Sequence, residues 1–185
     1  VKRALFLASL ALVLAACSGH TVHRVEVDLL SFVPEANRTG TLDLIQAEVR
    51  VPDDPAGQEI LLPGAEALED GRIALRVNLR NTGTLSTDLA LEVRAGPQED
   101  TDLYDGTGGD FQVEESSLSL NPGENGLLEA DVNLQPGDPL YDLVKTGAFR
   151  LGARVRVNSG DEVGYTLEKA EVVLRLRFFN LIPSP

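Results

Sequence analysis

Two sets of residues carry the chemistry this sequence offers. The first is arginine: strands over residues 89–94, 149–157 and 170–178 are expected to lie in one sheet, with Arg94, Arg150, Arg154, Arg156, Arg175 and Arg177 at its outward positions and only Glu92 and Glu171 among them. Planar guanidiniums grouped on one face suit bidentate recognition of carboxylate or phosphate, as on an anionic envelope polymer or an acidic protein. The plainer reading is a solvated outer face cross-paired with nearby acids. The second set is the run Glu99-Asp100-Thr101-Asp102-Leu103-Tyr104-Asp105-Gly106, followed by Asp110. Asp100, Asp102, Asp105 and Asp110 are spaced closely enough for a Ca²⁺ site, since this hard cation takes several oxygens. The spacing departs from an EF-hand: the third acid comes one residue late and Phe111 stands where the closing Glu belongs. The alternative is a solvated acidic turn.

Nucleophilic catalysis has little to work with. His20 and His23 lie near the N-terminus, Cys17 is the single cysteine, and there is no G-x-S-x-G, HExxH, CxxC or Walker pattern. The expectation is a protein that is not an enzyme and needs no cofactor, with a carboxylate- or metal-dependent hydrolase as the remaining catalytic alternative.

The N-terminus points to a location. Lys2 and Arg3 precede an apolar run, Ala4 to Ala16, that ends Leu14-Ala15-Ala16-Cys17. This stretch of thirteen residues, interrupted only by Ser9, matches a signal-peptide core and is too short to cross ~30 Å of hydrocarbon as a helix. This arrangement resembles the lipobox signal of bacterial lipoproteins. The resemblance implies cleavage between Ala16 and Cys17, lipid on the Cys17 sulfur, and attachment to the periplasmic or surface face of an envelope membrane. Ser18, standing where inner-membrane lipoproteins often carry Asp, inclines that expectation toward the outer membrane. One acyl chain anchors only marginally, whereas two or three hold firmly. A cysteine with no partner for an intrachain disulfide is consistent with that use.

Without residues 1–16 the chain keeps 14 basic and 29 acidic residues, a net charge of −15. That charge opposes binding to nucleic acid and to anionic lipid surfaces. The expected organisation is a signal peptide (1–16), a lipidated cysteine with a short tether (17–21), and one β-sandwich domain (22–185). Within the domain, 22–51 holds N-terminal strands and 72–179 the core.

What must position the arginines is β-structure almost throughout. Val25, Val27 and Leu29 alternate with polar residues; Ile73, Leu75, Val77 and Leu79 alternate with Arg72, Arg76, Asn78 and Arg80; Phe149 to Val157 repeats the pattern. Period-two alternation is the mark of a half-buried strand. A second strand over 42–51 has a register break near Ile45-Gln46. Short turns at Asn81-Thr82-Gly83, Asn121-Pro122-Gly123 and Asn158-Ser159-Gly160-Asp161 separate further strands, and Asp138–Lys145 reads as one or two helical turns with Pro139 first. An all-β, antiparallel sandwich of about seven to nine strands follows.

Val77-Asn78-Leu79-Arg80-Asn81-Thr82-Gly83, Leu118-Ser119-Leu120-Asn121-Pro122-Gly123-Glu124 and Gly147-Ala148-Phe149-Arg150-Leu151 resemble segments of Ig-like bacterial surface domains of the CARDB or fibronectin-III-like kind. The resemblance implies an Ig-like sandwich, with 22–51 as an addition to it, and a role in adhesion or scaffolding. Taken together, the expectation is a lipid-anchored envelope module that binds an envelope protein or polymer. A ligand-binding lipoprotein with a pocket in the sandwich is the second reading. Phe178, Phe179, Leu181 and Ile182 are expected either to close the core as the end of the last strand or to form an apolar patch.

Overall fold

The computed structural model describes residues 22–43 and 47–177, Phe32 without its side chain. The alternating segments form ten strands: β1 (Val22–Asp28), β2 (Thr39–Leu42), β3 (Glu48–Val51), β4 (Gln58–Leu61), β5 (Leu68–Asn81), β6 (Thr87–Pro97), β7 (Phe111–Leu120), β8 (Asn125–Leu134), β9 (Ala148–Ser159) and β10 (Val163–Arg177). A short helix, α1 (Pro139–Lys145), lies between β8 and β9. Pro139 opens it, where the missing N–H costs nothing. It buries Leu140, Tyr141 and Val144, and the Tyr141 hydroxyl donates to the Leu68 carbonyl.

Two antiparallel sheets face each other. Sheet I runs β1-β10-β5-β8, with β2 also on β10; sheet II runs β3-β9-β6-β7, with β4 also on β9. The inward positions of both sheets, among them Ile73, Leu75, Val77, Leu79, Leu89, Leu91, Val93, Phe149, Leu151, Val155, Val172 and Leu174, join in one apolar core.

The expected two-sheet sandwich is present, but its connectivity is not Ig-like. The pairs nest: β6 lies on β7, β5 on β8, β3 and β4 on β9, β1 and β2 on β10. A long ribbon of paired strands rolled over itself is a jelly roll. An Ig sandwich instead pairs several sequence-adjacent strands within each sheet, and among the described residues β6–β7 alone does so between neighbours along the chain. Residues 22–51 are therefore built into both sheets, since β1 and β2 extend sheet I and β3 extends sheet II. The expected single strand over 42–51 is two strands in different sheets, and the break at Ile45-Gln46 lies outside the described residues.

Asn81 ties the roll at one end. It is fully buried; its side-chain amide donates to the carbonyls of Leu85 (2.7 Å) and Leu120 (2.9 Å), and its Oδ1 accepts from Gly83 N–H (2.9 Å). Its backbone bonds to Glu124 and Gly123. The two turns read as separate motifs thus meet through one side chain. Gly83 packs so closely on Asp161 that a Cβ there would sit 2.4 Å from that side chain.

Candidate functional site: the outer faces of the two sheets

The arginines divide between the sheets. β6 and β9 are neighbours in sheet II, which brings Arg94, Arg150, Arg154 and Arg156 onto its outer face. β10 belongs to sheet I, so Arg175 and Arg177 stand on the opposite side of the molecule. The single six-arginine face expected from the sequence does not form.

On sheet II the guanidiniums are already matched. Glu92, 3 % exposed, accepts from Arg94 (2.9 Å) and Arg154 (2.8 Å), and Arg156 approaches to 3.7 Å. Arg94 also holds Asp110 at 2.6 Å, Arg154 reaches Glu48 at 3.6 Å, Arg50 pairs with Glu48 at 2.6 Å, and Arg156 lies 3.9 Å from Glu115. The network contains four arginines and four carboxylates and is neutral. Burial alone would raise the Glu92 pKa, but the hydrogen bonds from Arg94 and Arg154 overcome it and hold the carboxyl below its ordinary value. Arg150 donates to the carbonyls of Gln98 (2.7 Å) and Gly57 (3.5 Å).

The acidic loop, residues 98–110, folds down over this face. Leu103 is fully buried in a notch whose floor is glycine: a Cβ on Gly57, Gly96 or Gly152 would lie 2.5, 2.8 or 3.2 Å from its methyl groups. The Tyr104 ring lies against the guanidiniums of Arg154 (4.6 Å) and Arg50 (5.1 Å), a cation–π arrangement. Burial pushes the Tyr104 phenol far above its ordinary pKa. Leu103 and Tyr104 were the signal available in the sequence, two large apolar side chains inside an acidic run.

The four aspartates do not converge. Asp100 Oδ1 accepts from Asp102 N–H, Asp102 Oδ1 from Tyr104 N–H, and Asp105 Oδ1 from Thr107 N–H. Asp110 turns to Arg94 and to Gly106 N–H. Each carboxylate folds its own stretch of loop, and among the described residues no group of three or more His, Cys, Asp or Glu side chains is placed to hold a metal ion.

Sheet I presents a more open lattice. Arg175 pairs with Asp70 (2.9 Å) and Glu69 (3.6 Å), Arg177 with Glu69, Arg72 with Asp131, Arg76 with Glu129 (2.5 Å) and Lys169 with Glu171 (2.6 Å). The Arg72, Arg76 and Arg175 side chains are about half exposed, 53 %, 49 % and 51 %.

Between the sheets, an apolar cavity lined by Val33, Val51, Ile73, Leu75, Val93 and Leu151 measures about 30 Å³. That is room for a water molecule and far below the ~300 Å³ at which small-molecule pockets begin. Among the described residues no helix is long and apolar enough to cross a membrane. Ala16 and Cys17 lie outside the described residues, as do Phe178, Phe179, Leu181 and Ile182.

No protein-family model matches the chain. No curated protein is similar to it in sequence. Solved structures that the chain matches include a chain of infectious bursal disease virus Gx strain, at 7 % identity and TM-score 0.46, covering 86 % of this chain and 34 % of that one. They include the CBM22-1–GH10 modules of Clostridium thermocellum xylanase 10B, complexed with xylohexaose (11 %, TM-score 0.38, 85 % and 28 %). TmCBM61 in complex with β-1,4-galactotriose is a third (14 %, TM-score 0.32, 85 % and 88 %). The chain spans about a third of the length of the viral chains it matches.

Proposed function

We propose that this chain is a lipid-anchored cell-envelope protein whose β-sandwich binds an envelope protein or anionic polymer and catalyses no reaction. The observation that carries the reading is Leu14-Ala15-Ala16-Cys17, with only residues 18–21 between Cys17 and the first residue of β1. Four residues at ~3.5 Å each span about 15 Å, so a lipid on Cys17 would hold the domain close to the bilayer. Sheet I is the face offered to the partner. Its exposed ion pairs are screened by water and contribute little, so Arg72, Arg76, Arg175 and Arg177 can exchange their acids for those of a partner at little cost. Sheet II is less free to do so, because drawing Arg154 away strips buried Glu92 of one of the two guanidiniums that hydrogen-bond it and leaves Arg94 to hold it.

The test is chemical crosslinking in intact cells followed by pull-down, with the natural chain, Cys17→Ala, and Arg175→Glu/Arg177→Glu. A partner captured by the natural chain, lost with Cys17→Ala and weakened by the double reversal, is the expected result. Equal capture by all three forms would overturn both the anchor and the face.

A further inference from the structure

β1 is a margin of sheet I: one side pairs with β10, and among the described residues the other pairs with no strand. An unpaired edge offers its N–H and C=O groups to any strand that can lie against it, and folded proteins ordinarily cover or blunt such edges. The surface beside this edge is apolar. A groove of about 540 Å³ runs between β1 and β4, at the margin of sheet II, with Val25, Val27, Ile60, Leu61, Leu174 and Leu176 in its walls. Leu61 is 64 % exposed, more than any other large apolar side chain among the described residues.

The charges of β1 indicate which strand suits it. Alternation places Val25 and Val27 toward the groove and Arg24, Glu26 and Asp28 on the outer face. β10 does not match those charges: Arg24 stands opposite Arg175, and Asp28 opposite Glu171. Like charges directly opposite each other are unfavourable.

β1 does match itself. Laid antiparallel on a second copy about a two-fold axis at Val25, its seven residues overlap completely. Arg24 then falls opposite Glu26 of the second copy, Glu26 opposite its Arg24, and Val25 meets Val25. Slipping the pairing by two residues sets Glu26 against Glu26, or Arg24 against Arg24. Slipping by one sends the apolar face of one copy outward. The register with the fullest overlap is thus also the one that satisfies charge and burial. Such a pairing closes on itself, because each copy covers the other's edge.

We propose that two copies of this chain associate edge to edge through β1, antiparallel about Val25. Sheet I then continues from one copy into the other, and the two apolar grooves lie side by side. This assignment is independent of lipid at Cys17 and of what the outer face of sheet I binds.

The test is disulfide formation in intact cells by the full chain carrying Val25→Cys, with the linked peptides mapped by mass spectrometry to separate them from Cys17. A 25–25 link between copies is expected. Val22→Cys should give none, although Val22 is the more exposed of the two. In this register the two Val22 positions lie about 20 Å apart, at ~3.3 Å per residue. No 25–25 link, a 22–22 link of equal yield, or position 25 joined to a different protein would overturn the proposal. With Val25→Cys retained, Arg24→Glu and Glu26→Arg should each lower the link several-fold, since like charges then oppose each other. Co-expressing the two reversed forms should restore it between unlike copies, which also shows that both fold. A link indifferent to either reversal, or not restored by co-expression, would overturn the proposal as well.

Discussion

Replacing Glu92 with Leu should destabilise the protein strongly, and replacing its partner as well should recover part of the loss. Glu92 is the buried anion on which Arg94, Arg154 and Arg156 converge. Arg94 keeps Asp110 at 2.6 Å, and Arg156, the most exposed of the three, was held only at 3.7 Å. Arg154 suffers most: its side chain is 15 % exposed and its remaining carboxylate, Glu48, stands 3.6 Å away. Breaking a buried pair from one side costs about 3–5 kcal/mol, and the surviving partners place Glu92→Leu near the lower end, about 3 kcal/mol. Urea unfolding at pH 7 reads this as a fall in midpoint of ~1–2 M, for a slope of about 1.5–3 kcal/mol/M. Glu92→Leu/Arg154→Leu should then be more stable than the sum of the two single variants by at least about 1 kcal/mol, because the stranded charge is gone. A single-variant loss below about 1 kcal/mol, or simple additivity, would refute the claim that this network is a buried and interdependent unit.

Other consequences follow from the same geometry. Leu103→Ala empties the glycine-floored notch and should cost about 2–5 kcal/mol while making the 98–110 loop the first site of protease cleavage, read by limited proteolysis and urea midpoint. Asn81→Asp should be more damaging at pH 7 than Asn81→Leu, since a carboxylate would face the carbonyls of Leu85 and Leu120; thermal unfolding of the two variants checks the order. Asp161 is held below its ordinary pKa by the Thr84 and Glu162 amides, so its contribution is present above the unfolded value near ~4 and lost as pH falls through the folded one. The stability difference between the natural chain and Asp161→Asn should therefore shrink steadily on acidification below about pH 4, and a constant difference from pH 7 to pH 2 would contradict it.

The strands were legible because period-two alternation marks a buried face wherever it occurs, as in Ile73–Leu79 and Phe149–Val157. Which sheet a strand joins was not legible, since alternation reports a face and not a neighbour. This is why Arg94, Arg150, Arg154 and Arg156 were grouped correctly while Arg175 and Arg177 were placed with them and belong to sheet I. It is also why the nested pairing was read as Ig-like. The acidic loop was read through its charges; its structure is set by Leu103 and Tyr104, whose notch depends on Gly57, Gly96 and Gly152, residues far apart in sequence. Asn81 was read as a turn residue, and its side-chain bonds across to Leu120 could be found only in three dimensions.

The most direct measurement on the proposed function is mass spectrometry of the N-terminal peptide of the protein recovered from the membranes of a bacterial host. The account predicts a chain beginning at Cys17 and carrying a diacylglyceryl group on its sulfur, with Cys17→Ala giving neither the cleavage nor the modification. An unmodified chain that retains Lys2 and Arg3, or one cut elsewhere with a free Cys17 thiol, would contradict it.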